Sequence, residues 1–166
     1  MNRFFLALPV TLYDYEELQN DFNELMTGRW VPSQNLHLTL QFFGDRFKKD
    51  FLIQELSRLH LQTKSSEIRG LELFHHKKIL YAKTDNPSLK TLYQTLQESF
   101  PTPVQEEFIP HITLMRIKKI QDQALLEQKI KMYDEKTVGI LHPKIQLIQS
   151  YLGSGAAKYE CIQELV

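Results

Sequence analysis

Along the chain, short runs dense in apolar residues trade places with stretches in which leucines and aromatic residues recur every three or four positions. The first pattern marks half-buried strands and the second amphipathic helices. Residues 3–9 predict an opening strand, closed by Pro9. Thr11 is placed to cap a helix whose apolar face is Leu12, Tyr15, Leu18, Phe22, Leu25 and Met26, with Gly28 just past its end. A strand follows over 36–43, then a less regular helix through Phe51, Leu52, Leu56 and Leu59. Strands are expected over 67–74 and 79–84, with His75 and His76 in the exposed polar turn between them. Asn86 and Pro87 open a helix carrying Leu89, Leu92, Tyr93, Leu96 and Phe100, which Pro101 and Pro103 terminate. A strand over 111–117 leads to a helix capped by Asp122, with Leu125, Leu126, Ile130 and Tyr133 inward. Strands over 144–152 and 158–163 finish the chain, around Gly153-Ser154-Gly155.

Mixed strands and helices without regular βαβ alternation predict an α+β fold. The order also repeats. A helix precedes each of the strands over 36–43 and 111–117, another helix follows, and two strands come after. We therefore expect one domain over 1–166, duplicated into two lobes with pseudo-repeats of about 1–84 and 85–166. A cleft would lie between the lobes, with the two repeated strands beside a pseudo-two-fold axis.

Those two strands carry the candidate chemistry. His37-Leu38-Thr39-Leu40 returns as His111-Ile112-Thr113-Leu114. On a strand, alternate side chains share a face, so His37 pairs with Thr39 and His111 with Thr113, opposite the aliphatics. Two imidazoles and two hydroxyls around one point suit a small oxyanion such as a phosphate. One imidazole, neutral, can activate water while the other, protonated, donates to a leaving oxygen. Neither motif holds a serine or cysteine nucleophile, nor the carboxylates and thiolates that usually complete a metal site. Extending the alternation puts Gln41, Phe43 and Met115 on the cleft side, with Phe43 able to stack on a base. The same alternation puts Arg116 with Ile112 and Leu114, away from the cleft.

Composition narrows the partners. With 166 residues, 42% apolar and 24% charged, the chain has the balance of a soluble globular protein. Twenty basic residues offset twenty acidic ones, which argues against non-specific coating of nucleic acid but leaves room for recognition of one phosphate or one end. No apolar run is long enough to span a bilayer or to serve as a signal peptide, so a cytoplasmic location is the default. Cys161 stands alone and is expected to be a small hydrophobe in the last strand.

These residues resemble the two-histidine phosphoesterase superfamily, and within it the RNA 2',3'-cyclic phosphodiesterases, also called 2'-5' RNA ligases. The resemblance runs nearly end to end. It covers residues 3–9, Arg29-Trp30-Val31-Pro32, the first motif with Gly44, Pro110 with the second motif and Arg116, then Ser150 and residues 155–159. It implies antiparallel sheets flanking the cleft with helices outside, and hydrolysis of an RNA 2',3'-cyclic phosphate to a 2'-phosphate with no metal or other cofactor. It also implies that His37 donates a proton, that His111 accepts one, and that Thr39 and Thr113 bind phosphate. Arg116 would join the site, which requires its strand to bend or end there. The expected partner is an RNA 3' end or a cyclic nucleotide, met by a monomer. Two other readings stay open: a phosphodiesterase for 2',5'-linked oligonucleotides or small cyclic phosphates, and a non-catalytic module that binds RNA ends.

Overall fold

A computed structural model describes residues 3–101 and 107–165. Among the described residues, nine strands and four α-helices form an α+β fold in which every strand pairing is antiparallel. In chain order they are β1 (Arg3–Leu12), α1 (Tyr15–Phe22), β2 (Met26–Trp30), β3 (His37–Gly44), α2 (Lys49–Arg58), β4 (Ser66–Phe74), β5 (Ile79–Thr84), α3 (Pro87–Ser99), β6 (Ile112–Ile120), α4 (Gln123–Lys131), β7 (Thr137–Leu141), β8 (Gln146–Tyr151) and β9 (Lys158–Glu164).

The strands fall into two groups of four. One runs β2-β6-β5-β4 and the other β3-β1-β8-β9, with β7 paired to β4 on one side and β1 on the other. Each group contains one motif strand: β3 lies on β1, with α1 and β2 between them in sequence, and β6 lies on β5, with α3 between them. The groups also meet directly, where Leu38 of β3 pairs with Ile112 of β6. Leu38, Leu40, Ile112 and Leu114 are buried in the main core with the apolar faces of the helices, among them Leu18 and Phe22 of α1, Leu52 and Leu56 of α2, and Leu89, Leu92 and Leu96 of α3.

Several local expectations are corrected. The opening strand passes through Pro9 to Leu12. Its pairing with β8 ends at Ala7 and its pairing with β7 begins at Val10, so the missing N–H of Pro9 falls in the gap between two ladders, where no donor is needed. Thr11 is therefore a strand residue, its hydroxyl 2.7 Å from Nε2 of His142, and α1 starts four residues later, after Asp14 in the left-handed region. That helix ends at Phe22. Leu25 and Met26 fit its spacing, but the chain is drawn into β2 by pairing with β6. Gly28 is consequently no helix terminator: a Cβ there would lie 2.2 Å from the carbonyl oxygen of Arg116, so glycine permits the close approach of the two strands.

β7 has no counterpart in the sequence reading, and the second motif strand runs on to Ile120. α3 ends at Ser99, ahead of Pro101; Pro103 lies outside the described residues. Cys161 lies in the last strand, β9, and its side chain is exposed there. Asn86 and Asp122 cap α3 and α4 as their positions imply, accepting from the backbone N–H of Ser88 and Leu125.

Candidate active site

The Leu38–Ile112 pair fixes the site. The residues flanking it are His37 and Thr39 on one strand, His111 and Thr113 on the other. Antiparallel pairing turns all four side chains to the face opposite the buried aliphatics. All four line one cavity of about 1100 Å³.

Each imidazole is anchored in the same way. Nδ1 of His37 donates to the carbonyl of Asn35 at 2.6 Å, and Nδ1 of His111 to the carbonyl of Ile109 at 2.8 Å. A carbonyl can only accept, so Nδ1 carries the proton in both rings and Nε2 is the nitrogen left for chemistry. Nε2 of His37 lies 3.0 Å from the Thr39 hydroxyl. Two aromatic rings hold each imidazole. His37 sits 5.0 Å from Phe5 of β1 and 5.5 Å from Tyr159 of β9; His111 sits 5.4 Å from Phe74 of β4 and 5.6 Å from Tyr81 of β5. Asn35 does double duty, its side-chain amide donating to the Ala157 carbonyl at 2.9 Å and tying the approach to β3 to the loop before β9.

Burial lowers the pKa of both histidines below the usual 6.5, partly opposed by the carbonyl bonds that favour the charged form. The Arg116 guanidinium adds to the depression of both, His111 lowers His37, and Lys77 lowers His111. Among the described residues lining the cavity, Arg29, Lys77 and Arg116 face a single carboxylate, that of Glu107. The cavity therefore favours an anion.

A β-bulge sits at the same place in both motif strands. Leu6 of β1 pairs with Gln41 and Ala7 with Thr39, leaving Leu40 extra; Leu80 of β5 pairs with Met115 and Tyr81 with Thr113, leaving Leu114 extra. An extra residue reverses the alternation beyond it. Leu40 and Gln41 are thus both buried, as are Leu114 and Met115, and the next residues, Phe42 and Arg116, swing to the cavity. The bulges bear on two expectations. Arg116 lines the cavity, the bulge supplying the bend that its strand needs. Phe43 does not: it is 0% exposed and packs edge-on against Phe47 and Phe100, whereas Phe42 is 65% exposed beside the Phe5 ring. Met115 is likewise a core residue, and Gln41 is a buried acceptor for the Gln97 amide at 2.7 Å, though it still touches the cavity.

His75 and His76 occupy the exposed turn between β4 and β5; His76 and Lys77 reach the cavity rim. Among the described residues, no three His, Cys, Asp or Glu side chains are grouped to hold a metal ion, and no helix is long and apolar enough to cross a membrane. Alternation alone does not reveal Phe5, Phe42, Phe74, Tyr81 or the two anchoring carbonyls, because these depend on strand pairing; Arg29 and Tyr159 fall within the segments of family resemblance.

Two His-x-Thr strands meeting at the floor of one cationic cavity, in an antiparallel α+β fold, define a two-histidine phosphoesterase architecture. The chain belongs to the 2'-5' RNA ligase superfamily, whose sequence profile matches residues 15–141. It is 28% identical to an RNA 2',3'-cyclic phosphodiesterase of Methanocaldococcus jannaschii, over 98% of this chain and 99% of that one. A protein of the same description from Aquifex aeolicus is 26% identical over 90% of this chain and 87% of its own length. The fold matches that of LigT from E. coli, crystallised with 3'-AMP, with a TM-score of 0.73 at 18% identity, covering 98% of this chain and 96% of LigT.

Proposed function

We propose that this protein hydrolyses the 2',3'-cyclic phosphate at an RNA end, leaving a 2'-phosphate, and that it does so in the cytoplasm, as a monomer and without a metal ion. One observation carries the reading: both imidazoles are tied through Nδ1 to backbone carbonyls and open on one cationic cavity with their threonines beside them. The names of the M. jannaschii and A. aeolicus relatives point to the same reaction.

The cyclic phosphate lies between the two motif pairs, its non-bridging oxygens taking hydrogen bonds from Thr39 and Thr113 and facing the Arg116 guanidinium. Neutral His111 removes a proton from water through Nε2 as the water oxygen bonds to phosphorus. The bond from phosphorus to O3' breaks in line, and Nε2 of protonated His37 gives its proton to that oxygen. One proton enters at His111 and one leaves at His37, so a proton exchange with solvent resets the pair. Arg116 stabilises the charge that builds on the phosphate in the transition state. Phe42, at the cavity wall, offers its ring face to the terminal base, the role the alternation pattern gives to Phe43.

Incubation with RNA ending in a 2',3'-cyclic phosphate, followed by phosphorus NMR of the product against authentic 2'- and 3'-monophosphates, tests the assignment. A 2'-phosphate is expected. A 3'-phosphate would reverse the roles of the two histidines, and an untouched cyclic phosphate, with cleavage of 2',5'-linked RNA instead, would replace the reading.

A further inference from the structure

Arg29 of β2 pairs directly with Arg116 of β6. Directly opposed residues of an antiparallel pair project from the same face with Cβ atoms about 5 Å apart, where like charges repel. Both side chains are exposed and both line the cavity. Among the described residues, no carboxylate forms an ion pair with either guanidinium. The strands are also pressed together one position away, where Gly28 admits the Arg116 carbonyl at a distance no Cβ would allow. The register thus sets two arginines side by side, and no described carboxylate is paired with either.

Arg116 shares β6 with the second motif, whereas Arg29 stands across from it on the edge strand β2, beyond the point where β3 meets β6 at Ile112. The pair therefore runs outward from the scissile phosphate: one guanidinium at it, the other beyond. The cavity is also larger than one nucleotide needs. We infer that Arg29 holds a second phosphate, the internucleotide phosphodiester on the 5' side of the terminal residue, so that the preferred substrate is an oligonucleotide end rather than a cyclic mononucleotide. This rests on the reading of the site as a phosphodiesterase of RNA ends. Arg29 is here a specificity-determining residue, and Arg116 is shared between the two phosphates.

The test uses ligands differing only at that linkage. Binding is followed by the fluorescence of Trp30, which lies in the cavity wall, with three ligands: adenosine 2'-monophosphate, the ApA dinucleotide bearing a terminal 2'-phosphate, and the same dinucleotide with a neutral methylphosphonate linkage. At low salt the native protein should bind the charged dinucleotide about tenfold or more tightly than the methylphosphonate one, as a charge-assisted contact would give. In Arg29→Gln that ratio should collapse to about one to three, and the log–log salt slope for the charged dinucleotide should fall by about one. Equal binding of the two dinucleotides by the native protein, or an undiminished ratio in Arg29→Gln, would overturn the inference. Turnover of cyclic-phosphate RNA, measured alongside, separates the two claims. A protein that shows the binding ratio without turnover keeps the second phosphate site and loses the hydrolase reading; one that hydrolyses cyclic-phosphate RNA but binds both dinucleotides equally does the reverse.

Discussion

Phe42 and Phe43 are neighbours in sequence with the same side chain, and the β3 bulge assigns them opposite jobs. Phe43 is fully buried against Phe47 and Phe100. Cutting it to alanine leaves a cavity that close-packed neighbours refill only in part, at a cost of about 3–5 kcal/mol. For a domain of this size each kcal/mol is worth about 2–4 °C, so the melting temperature should fall by about 6–20 °C. The cavity wall is untouched, and KM for an RNA substrate should stay within about twofold while the protein is folded. Phe42 is 65% exposed, and its main contact is the Phe5 ring at 5.6 Å. Its loss should cost about 0.5–1 kcal/mol of stability. Losing a stacked base costs about 1–3 kcal/mol of binding, so KM should rise about 5- to 150-fold. Differential scanning fluorimetry and initial-rate kinetics on both variants give the four numbers. A Phe42→Ala protein that melts as low as Phe43→Ala, or a Phe43→Ala protein with the raised KM, would refute the bulge and restore simple alternation.

Other predictions address the electrostatics. Because burial and Arg116 hold both imidazoles below 6.5, kcat/KM should follow a bell whose optimum lies on the acid side of 6.5. Arg116→Gln removes a cation that disfavours the protonated rings, so both limbs should move to higher pH as the maximum rate falls; an acidward shift would contradict the placement of Arg116. The depressed values also couple to stability. Between the folded pKa values and 6.5 the unfolded chain binds more protons, so the stability present above 6.5 should drain away as the pH falls from there, and less so in His37→Gln, in thermal melts at stepped pH. Gly28→Ala should destabilise the protein by about 1–3 kcal/mol, with the loss read by urea denaturation, since a Cβ would collide with the β6 backbone. Chelators should leave turnover unchanged, and activity lost to a chelator and restored by a divalent ion would return the site to metal chemistry.

How much of this was legible in the sequence depends on how local each cause is. The strands over 79–84 and the starts of α3 and α4 follow from periodicity and capping residues at hand, and they lie where those signals point. The His-x-Thr pairs share a face because alternation holds over three residues. It fails one residue later, because the bulges at Leu40 and Leu114 are set by pairing with β1 and β5, and no glycine or proline marks them. For that single reason alternation points Arg116 away from the cavity and Phe43 into it, the reverse of where they lie. Leu25 and Met26 fit the helical spacing of α1, and the pairing of β2 with β6 outweighs that weak local preference. β7 is only five residues long, and the glycine at its centre interrupts the strand preference of Thr137, Val138 and Ile140. Its strand character comes from β1 and β4 on either side.

In the proposed mechanism His37 and His111 act as one catalytic unit on a cyclic phosphate. The most direct measurement is kcat/KM on RNA ending in a 2',3'-cyclic phosphate for the native protein, His37→Ala, His111→Ala and the double variant, each confirmed folded by circular dichroism. General acid–base partners contribute about 10²- to 10⁴-fold each, and residues that act together are far from additive. Each single variant should therefore lose at least about a hundredfold, and the double variant should be little worse than either. Single variants with near-native rates, or losses that multiply in the double variant, would contradict the account.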